Sequence, residues 1–396
     1  MHVNMSYSSK INYLFILLSI VWLPLQSTIL MIDGQGRSIL FLALVTLSTN
    51  LYSKTFLKLI KRKPIIIWIV WCVFGIVNLF IVGYNIKTPF ILHIFFNFLL
   101  PLLVMAIVSL EYIRNKIGLL KLLRFSFAIY LVLVLIVIYT SSSGIERVGG
   151  ALGNQAPLNV IFLAFVVFVL ESHKRFNYKY IPFILTAVLF VVLSYATRKA
   201  LIALIIMGIF YYISKLRFSV WKILQAIVIS VFSYLLFIFI LDKTVIGERL
   251  LNTQEEGIKN NDSGIEMLSF LGDRAFFYIE GYKIFKENPI TGIGFGNFSS
   301  HLSFGQRIHS EYIVQLCEGG LIGSTLFIMF NYWLLKNLIL RMNDKNAFVF
   351  LGGLMSILFI NFSAWTYSFN QYFVCYGVVI GYCLTTNPRR NKKLIK

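Results

Sequence analysis

The chain has 396 residues, of which 58% are hydrophobic and only 13% charged. A soluble domain carries about 25% charged residues, so a soluble fold is excluded and a polytopic membrane protein is indicated. The formal net charge of +20 would suggest nucleic acid in a soluble protein. Here the Lys and Arg sit mostly in short loops between apolar runs, and no nucleic-acid-binding motif interleaves them, so no nucleic-acid partner is expected.

The apolar runs predict an all-α protein with about twelve transmembrane helices. They lie near 11–32, 38–53, 64–84, 90–110, 122–140, 158–171, 180–196, 200–214, 223–241, 312–335, 347–365 and 368–386. The first is long enough to span and lacks a small-residue cleavage site, so it reads as a retained helix. With both termini in the cytoplasm, 24 of the 36 basic residues fall on the inside, as the positive-inside bias requires. The short outside loops then hold only Arg37, Lys87, Arg147, Arg198 and Lys199. Cys72, Cys317, Cys375 and Cys383 lie in or beside apolar runs without a CxxC pair, so buried free thiols are expected.

This divides the chain into helices 1–9 over 1–241, a large periplasmic loop over 242–311, helices 10–12 over 312–386 and a basic cytoplasmic tail over 387–396. Within the loop, 273–287 predicts an amphipathic helix. Phe277, Tyr278, Gly281, Ile284 and Phe285 share one face, while Arg274 falls among them as the charge that needs a partner or a ligand. Pro289 ends the helix. A glycine turn follows over 292–296, with Gly292, Gly294 and Gly296. It lacks a Rossmann or Walker context, so its glycines either turn backbone N–H groups toward an anion or simply permit a tight turn. His309 precedes the next helix, along which Glu311, Gln315 and Glu318 form a polar stripe that either faces water or walls a cavity. Two outside segments add charge: Arg198 and Lys199 in "ATRKALIALI", and Arg147 in the glycine-containing loop 141–157.

The order "TRKAL", "GDRAFFYIEGYKIFKENPITGIGFGNF", "HSEYIVQLCEGGLIG" resembles the O-antigen polymerase/ligase superfamily. The resemblance is specific over 272–323 and looser around 194–201. Arg198, Arg274, Pro289, Gly292, Gly294, Gly296, His309, Tyr312, Glu318 and Gly320 match the family pattern, whereas Ser310 stands where members often have Asn. The resemblance implies a GT-C-like membrane glycosyltransferase of the inner membrane, nearest to the polymerases. It would act on undecaprenyl-diphosphate-linked oligosaccharides as donor and acceptor, without cofactor or metal. A flippase and a chain-length regulator of the same pathway would be its partners. The alternatives are a ligase that transfers glycan to lipid A-core and, in another class, a lipid-linked oligosaccharide flippase.

The residue roles divide accordingly. His309 is the expected catalytic base and Glu311 the alternative. Arg198, Lys199 and Arg274 would bind the diphosphate. Arg147, Tyr278, Gly294, Tyr312 and Glu318 would contact the glycan.

Overall fold

The fourth helix of the fold shows how the sequence sets an element. Lys63–Val82 is a 20-residue apolar run with Pro64 in its first turn, where the missing N–H costs nothing, and it stops at Gly83 with φ 97°. The structure is a computed structural model that describes residues 7–28, 37–85, 89–141, 156–173, 198–215, 274–301, 310–364, 366 and 369–385. Every regular element among them is helical, with no strand.

In chain order these are α1 (Tyr7–Thr28), α2 (Arg37–Leu51), α3 (Lys54–Ile60), α4 (Lys63–Val82) and α5 (Phe90–Ile94). A π turn over Phe95–Leu99 leads into α6 (Leu100–Ser141). There follow α7 (Ala156–Ser172), α8 (Arg198–Lys215), α9 (Arg274–Glu287), α10 (Phe298–His301), α11 (Glu311–Ile339), α12 (Lys345–Ile360) and α13 (Asn370–Thr385). By length and hydropathy three described stretches are sufficient to cross a membrane, Lys63–Val82, Phe90–Ile136 and Glu311–Ile339. The bent pair Ile39–Leu51 and Lys54–Ile60, which meet at 104°, makes a fourth if it is counted as one span. The runs at 180–196 and 223–241, most of the 242–311 segment, Arg147, His309 and the basic tail lie outside the described residues.

The stretch between the fourth and fifth expected spans is helical rather than a loop. Helix α6 has 42 residues, about twice the length that crosses the hydrocarbon core. It breaks at Asn115 (φ −146°, ψ 71°), whose Oδ1 accepts from the Gly118 N–H at 2.9 Å. Asn115 thus caps the second segment as it ends the first.

An aromatic cluster of the core forms on α4. Trp68 stacks on Trp71 at 4.8 Å and meets Phe330 of α11 at 4.7 Å and Phe373 of α13 at 5.3 Å. Close helix approach uses small residues, as lipid-embedded packing favours. A Cβ on Gly377 of α13 would stand 2.7 Å from Val108, and one on Gly381 2.5 Å from Tyr112, both on α6. The four cysteines are buried and free.

Candidate functional site

Helix α11 is not continuous. Gly320 has φ 60° and ψ −160°, a backbone region open essentially to glycine alone. The break removes intrahelical partners from the groups around it, and the glycine turn supplies replacements. The Ile293 N–H donates to the Cys317 carbonyl at 3.0 Å and the Gly294 N–H to the Glu318 carbonyl at 2.9 Å. In return, Leu321 and Ile322 N–H groups donate to the Pro289 and Ile290 carbonyls at 2.8 and 3.2 Å. The turn is therefore seated in the break, backbone to backbone.

Glu318 completes this seat. Its carboxylate is 4% exposed, and it accepts from the Gly296 N–H at 2.8 Å and the Phe298 N–H at 3.1 Å. The anion that these amides face is thus a carboxylate of the chain itself. Phe295, just before them, is fully buried and packs 4.8 Å from Trp71, beside Gly75, Gly319 and Gly323. Its carbonyl can only accept, so His93 Nε2, at 3.0 Å, carries the proton, and Nδ1 accepts from Asn97. Asn297 ties the turn to the end of α4 through the Gly83 carbonyl at 2.8 Å.

A second polar assembly forms at the start of α11. Glu311 is fully buried. Its Oε1 accepts from Gln315 Nε2 at 2.7 Å, and Gln315 Oε1 accepts from Trp71 Nε1 at 2.9 Å. Its Oε2 accepts from the Thr366 N–H at 2.6 Å and lies 3.2 Å from Thr366 Oγ1. That hydroxyl is also 2.8 Å from Asn361 Oδ1, but it has one proton. Turning the Asn361 amide over gives its otherwise unpartnered nitrogen to Thr366 Oγ1 and frees the hydroxyl proton for Glu311. The polar stripe of Glu311, Gln315 and Glu318 is accordingly buried and hydrogen-bonded to protein, rather than turned to water.

The connector between α12 and α13, residues 361–366, gathers several of the sequence candidates. Lys199 Nζ, at the start of α8, donates to the Ser363 carbonyl at 2.5 Å. The Tyr278 hydroxyl of α9 donates to the Phe362 carbonyl. The Glu311 N–H donates to the Asn361 and Ala364 carbonyls at 2.8 and 3.1 Å. Tyr312 donates to the Leu358 carbonyl at 2.9 Å, with its ring 4.6 Å from that of Phe362. Arg198 precedes Lys199 at the first position of α8, and Arg274 opens α9 one turn before Tyr278. Gly294 and Glu318 belong to the separate glycine-turn assembly. Sequence reasoning missed the connector, although Asn361, Ser363 and Thr366 are a polar cluster between two apolar runs. It also missed His93 and Asn297. Among the described residues, no group of three or more His, Cys, Asp or Glu is placed to hold a metal.

The fold and these assemblies define a multi-pass α-helical membrane protein with a polar site built where helix ends meet. Residues 182–328 match the family model described as O-antigen ligase. That match supports the O-antigen polymerase/ligase resemblance over a stretch that includes Arg198, Lys199, Arg274, the glycine turn, His309, Glu311 and Glu318. The connector at 361–366 and Arg147 lie outside it. The apolar helices indicate a multi-pass membrane protein, and the likeness to the O-antigen ligase family extends over less than half of the chain. No curated protein matches the chain significantly.

Proposed function

We propose that this protein polymerises undecaprenyl-diphosphate-linked repeat units of a surface polysaccharide at the periplasmic face of the inner membrane. The observation that carries the reading is the convergence on residues 361–366. Lys199, Tyr278 and Glu311, from three helices, bond to one short connector. Arg198 and Arg274 occupy the same helix starts. Cations at these helix starts would suit a diphosphate, whose leaving charge needs fixed donors. Planar guanidinium groups suit bidentate phosphate contact.

In the reaction the acceptor hydroxyl oxygen attacks the anomeric carbon of the donor sugar. The new C–O bond forms as the bond to the diphosphate breaks, with inversion. The hydroxyl proton passes to His309, and the leaving diphosphate keeps the bonding pair, balanced by Arg198, Lys199 and Arg274. His309 is preferred to Glu311 as base because both Glu311 oxygens already accept protein hydrogen bonds. Glu311 then acts as a positioning residue that fixes the connector. Tyr278, Tyr312 and Arg147 are assigned to the glycan, and Gly294 and Glu318 to shaping the turn beside it.

The family model's description favours a second reading, a ligase that delivers glycan to lipid A-core. Deleting the gene and inspecting surface polysaccharide separates the readings. Core bearing a single repeat identifies a polymerase. Lipid-linked polymer beside bare core identifies a ligase. Repeats held on the cytoplasmic side identify a flippase and sink both transferase readings.

A further inference from the structure

The bent pair α2–α3 carries a feature that the transfer reaction leaves unused. Beside the bend lies an apolar cavity of about 180 Å³, walled by α2, α3, α4, the π turn and α6. Leu44 and Leu47 of α2, Phe56 and Ile60 of α3, Ile69 of α4 and Leu103 of α6 face it, and its lining is almost wholly apolar. Apolar space of this kind suits an apolar occupant.

The outer side of the same elbow is strongly cationic. Lys54, Lys58, Lys61, Arg62 and Lys63 are all exposed, and none has an acidic partner among the described residues. Lys54 and Lys58 are four residues apart on one helix, a spacing at which like charges repel. Phe56 and Leu59, by contrast, are buried. The short helix thus turns an apolar side to the cavity and a basic side outward. Its bend is pinned, since Ser53 Oγ accepts from the Phe56 N–H at 3.3 Å and from Arg114 of α6.

The elbow is remote from the glycine turn. It sits at the start of α4, whereas the glycine turn is tied to the other end of that helix through Gly83. Twenty residues of helix separate them, about 30 Å. A phosphate held at the elbow is therefore remote from the glycine turn.

We propose that the α2–α3–α4 elbow binds one anionic glycerophospholipid, with part of an acyl chain in the apolar cavity and its phosphate against Lys58, Lys61 and Arg62. Charge complementarity selects this occupant over a zwitterionic lipid, because four to eight clustered cations on such a helix attract anionic headgroups. The bound lipid would brace the bend by filling the space between α2, α4 and α6.

The test is native mass spectrometry of the purified full chain titrated with dioleoylphosphatidylglycerol or dioleoylphosphatidylcholine. One phosphatidylglycerol should bind per chain, at least tenfold more tightly than phosphatidylcholine. Lys58→Gln with Lys61→Gln should weaken it roughly thirtyfold, at about fivefold per cation removed. Lys121→Gln with Lys345→Gln, exposed cations elsewhere, should leave binding unchanged. Filling the cavity with Leu47→Phe or, independently, Ala43→Ile should also weaken binding by tenfold or more. Equal binding of the two lipids, equal loss in the control pair, or undiminished binding in both cavity variants would each overturn the proposal.

Discussion

A Cβ placed on Gly320 would stand 2.6 Å from the amide nitrogen of Gly292 and 2.4 Å from the Ile290 carbonyl oxygen. The two glycines touch because the turn after α9 and the break in α11 share their backbone hydrogen bonds. Gly320→Ala therefore meets two obstacles, a conformation that a side chain resists and a wall of backbone that cannot swing aside. Its expected cost is about 3 kcal/mol or more, read as a lowered unfolding midpoint in detergent. Gly208→Ala is the matched comparison. It lies inside α8 with open space around it, so the change should be neutral or stabilising by up to about 1 kcal/mol. Equal losses at both positions would show that the break is not seated as described.

Glu318 holds the turn through bonds from two N–H groups, that of Phe298 buried and that of Gly296 half-buried. Glu318→Gln keeps the shape but can turn an NH₂ toward one of those donors. It should cost about 1–3 kcal/mol, and Glu318→Ala, which strands both donors, should cost more. Limited proteolysis supplies a local readout. Cleavage within 289–298 should rise in the order wild type, Gln, Ala. An unchanged cleavage rate in the Ala variant would mean that the carboxylate does not hold the turn.

The surroundings of Gly320 and Glu318 are only partly legible in the sequence. The 3.6-residue period of 273–287 is enough to place Phe277, Gly281 and Ile284 on the inner side of α9 and Lys283 and Lys286 on the outer, and the structure has them so. Periodicity also marks Glu311, Gln315 and Glu318 as one polar stripe. It is silent on what the stripe faces, because the partners Trp71 and Thr366 are 244 and 55 residues away in sequence. The break at Gly320 has a local trace, a glycine pair directly after an acid in an apolar run. Whether such a pair packs a straight helix or opens one depends on the segment laid against it. The connector at 361–366 is harder still. Its contribution comes largely from main-chain carbonyls, which every residue type possesses.

The chain Trp71–Gln315–Glu311–Thr366 predicts coupling between residues that do not touch. Trp71→Phe leaves Gln315 Oε1 without its donor, and Thr366→Val deprives Glu311 of a hydroxyl. Each should cost about 1–3 kcal/mol for a buried polar atom left unmatched. Because both act on one hydrogen-bonded chain, the double variant should depart from additivity by about 0.5 kcal/mol or more. Strict additivity in thermal unfolding would indicate two independent bonds instead of a network.

The diphosphate assignment predicts a difference between losing charge and losing geometry. Arg274→Ala and Arg198→Ala should each reduce chain extension by about 100-fold or more, since a fixed donor to the leaving group is removed. Lysine at either position keeps a positive charge but not the planar fork, so extension should recover in part. Membrane insertion should be unaffected, because each arginine opens a helix and neither belongs to its apolar run. The readout is the ladder of polysaccharide lengths made by cells carrying each variant in place of the native chain. A full ladder from either alanine variant would remove that arginine from the diphosphate site. The same assignment places the neutralising charge on protein groups. Purified enzyme should then retain its rate in excess chelator, and a loss reversed by a divalent cation would transfer the role from guanidinium to metal.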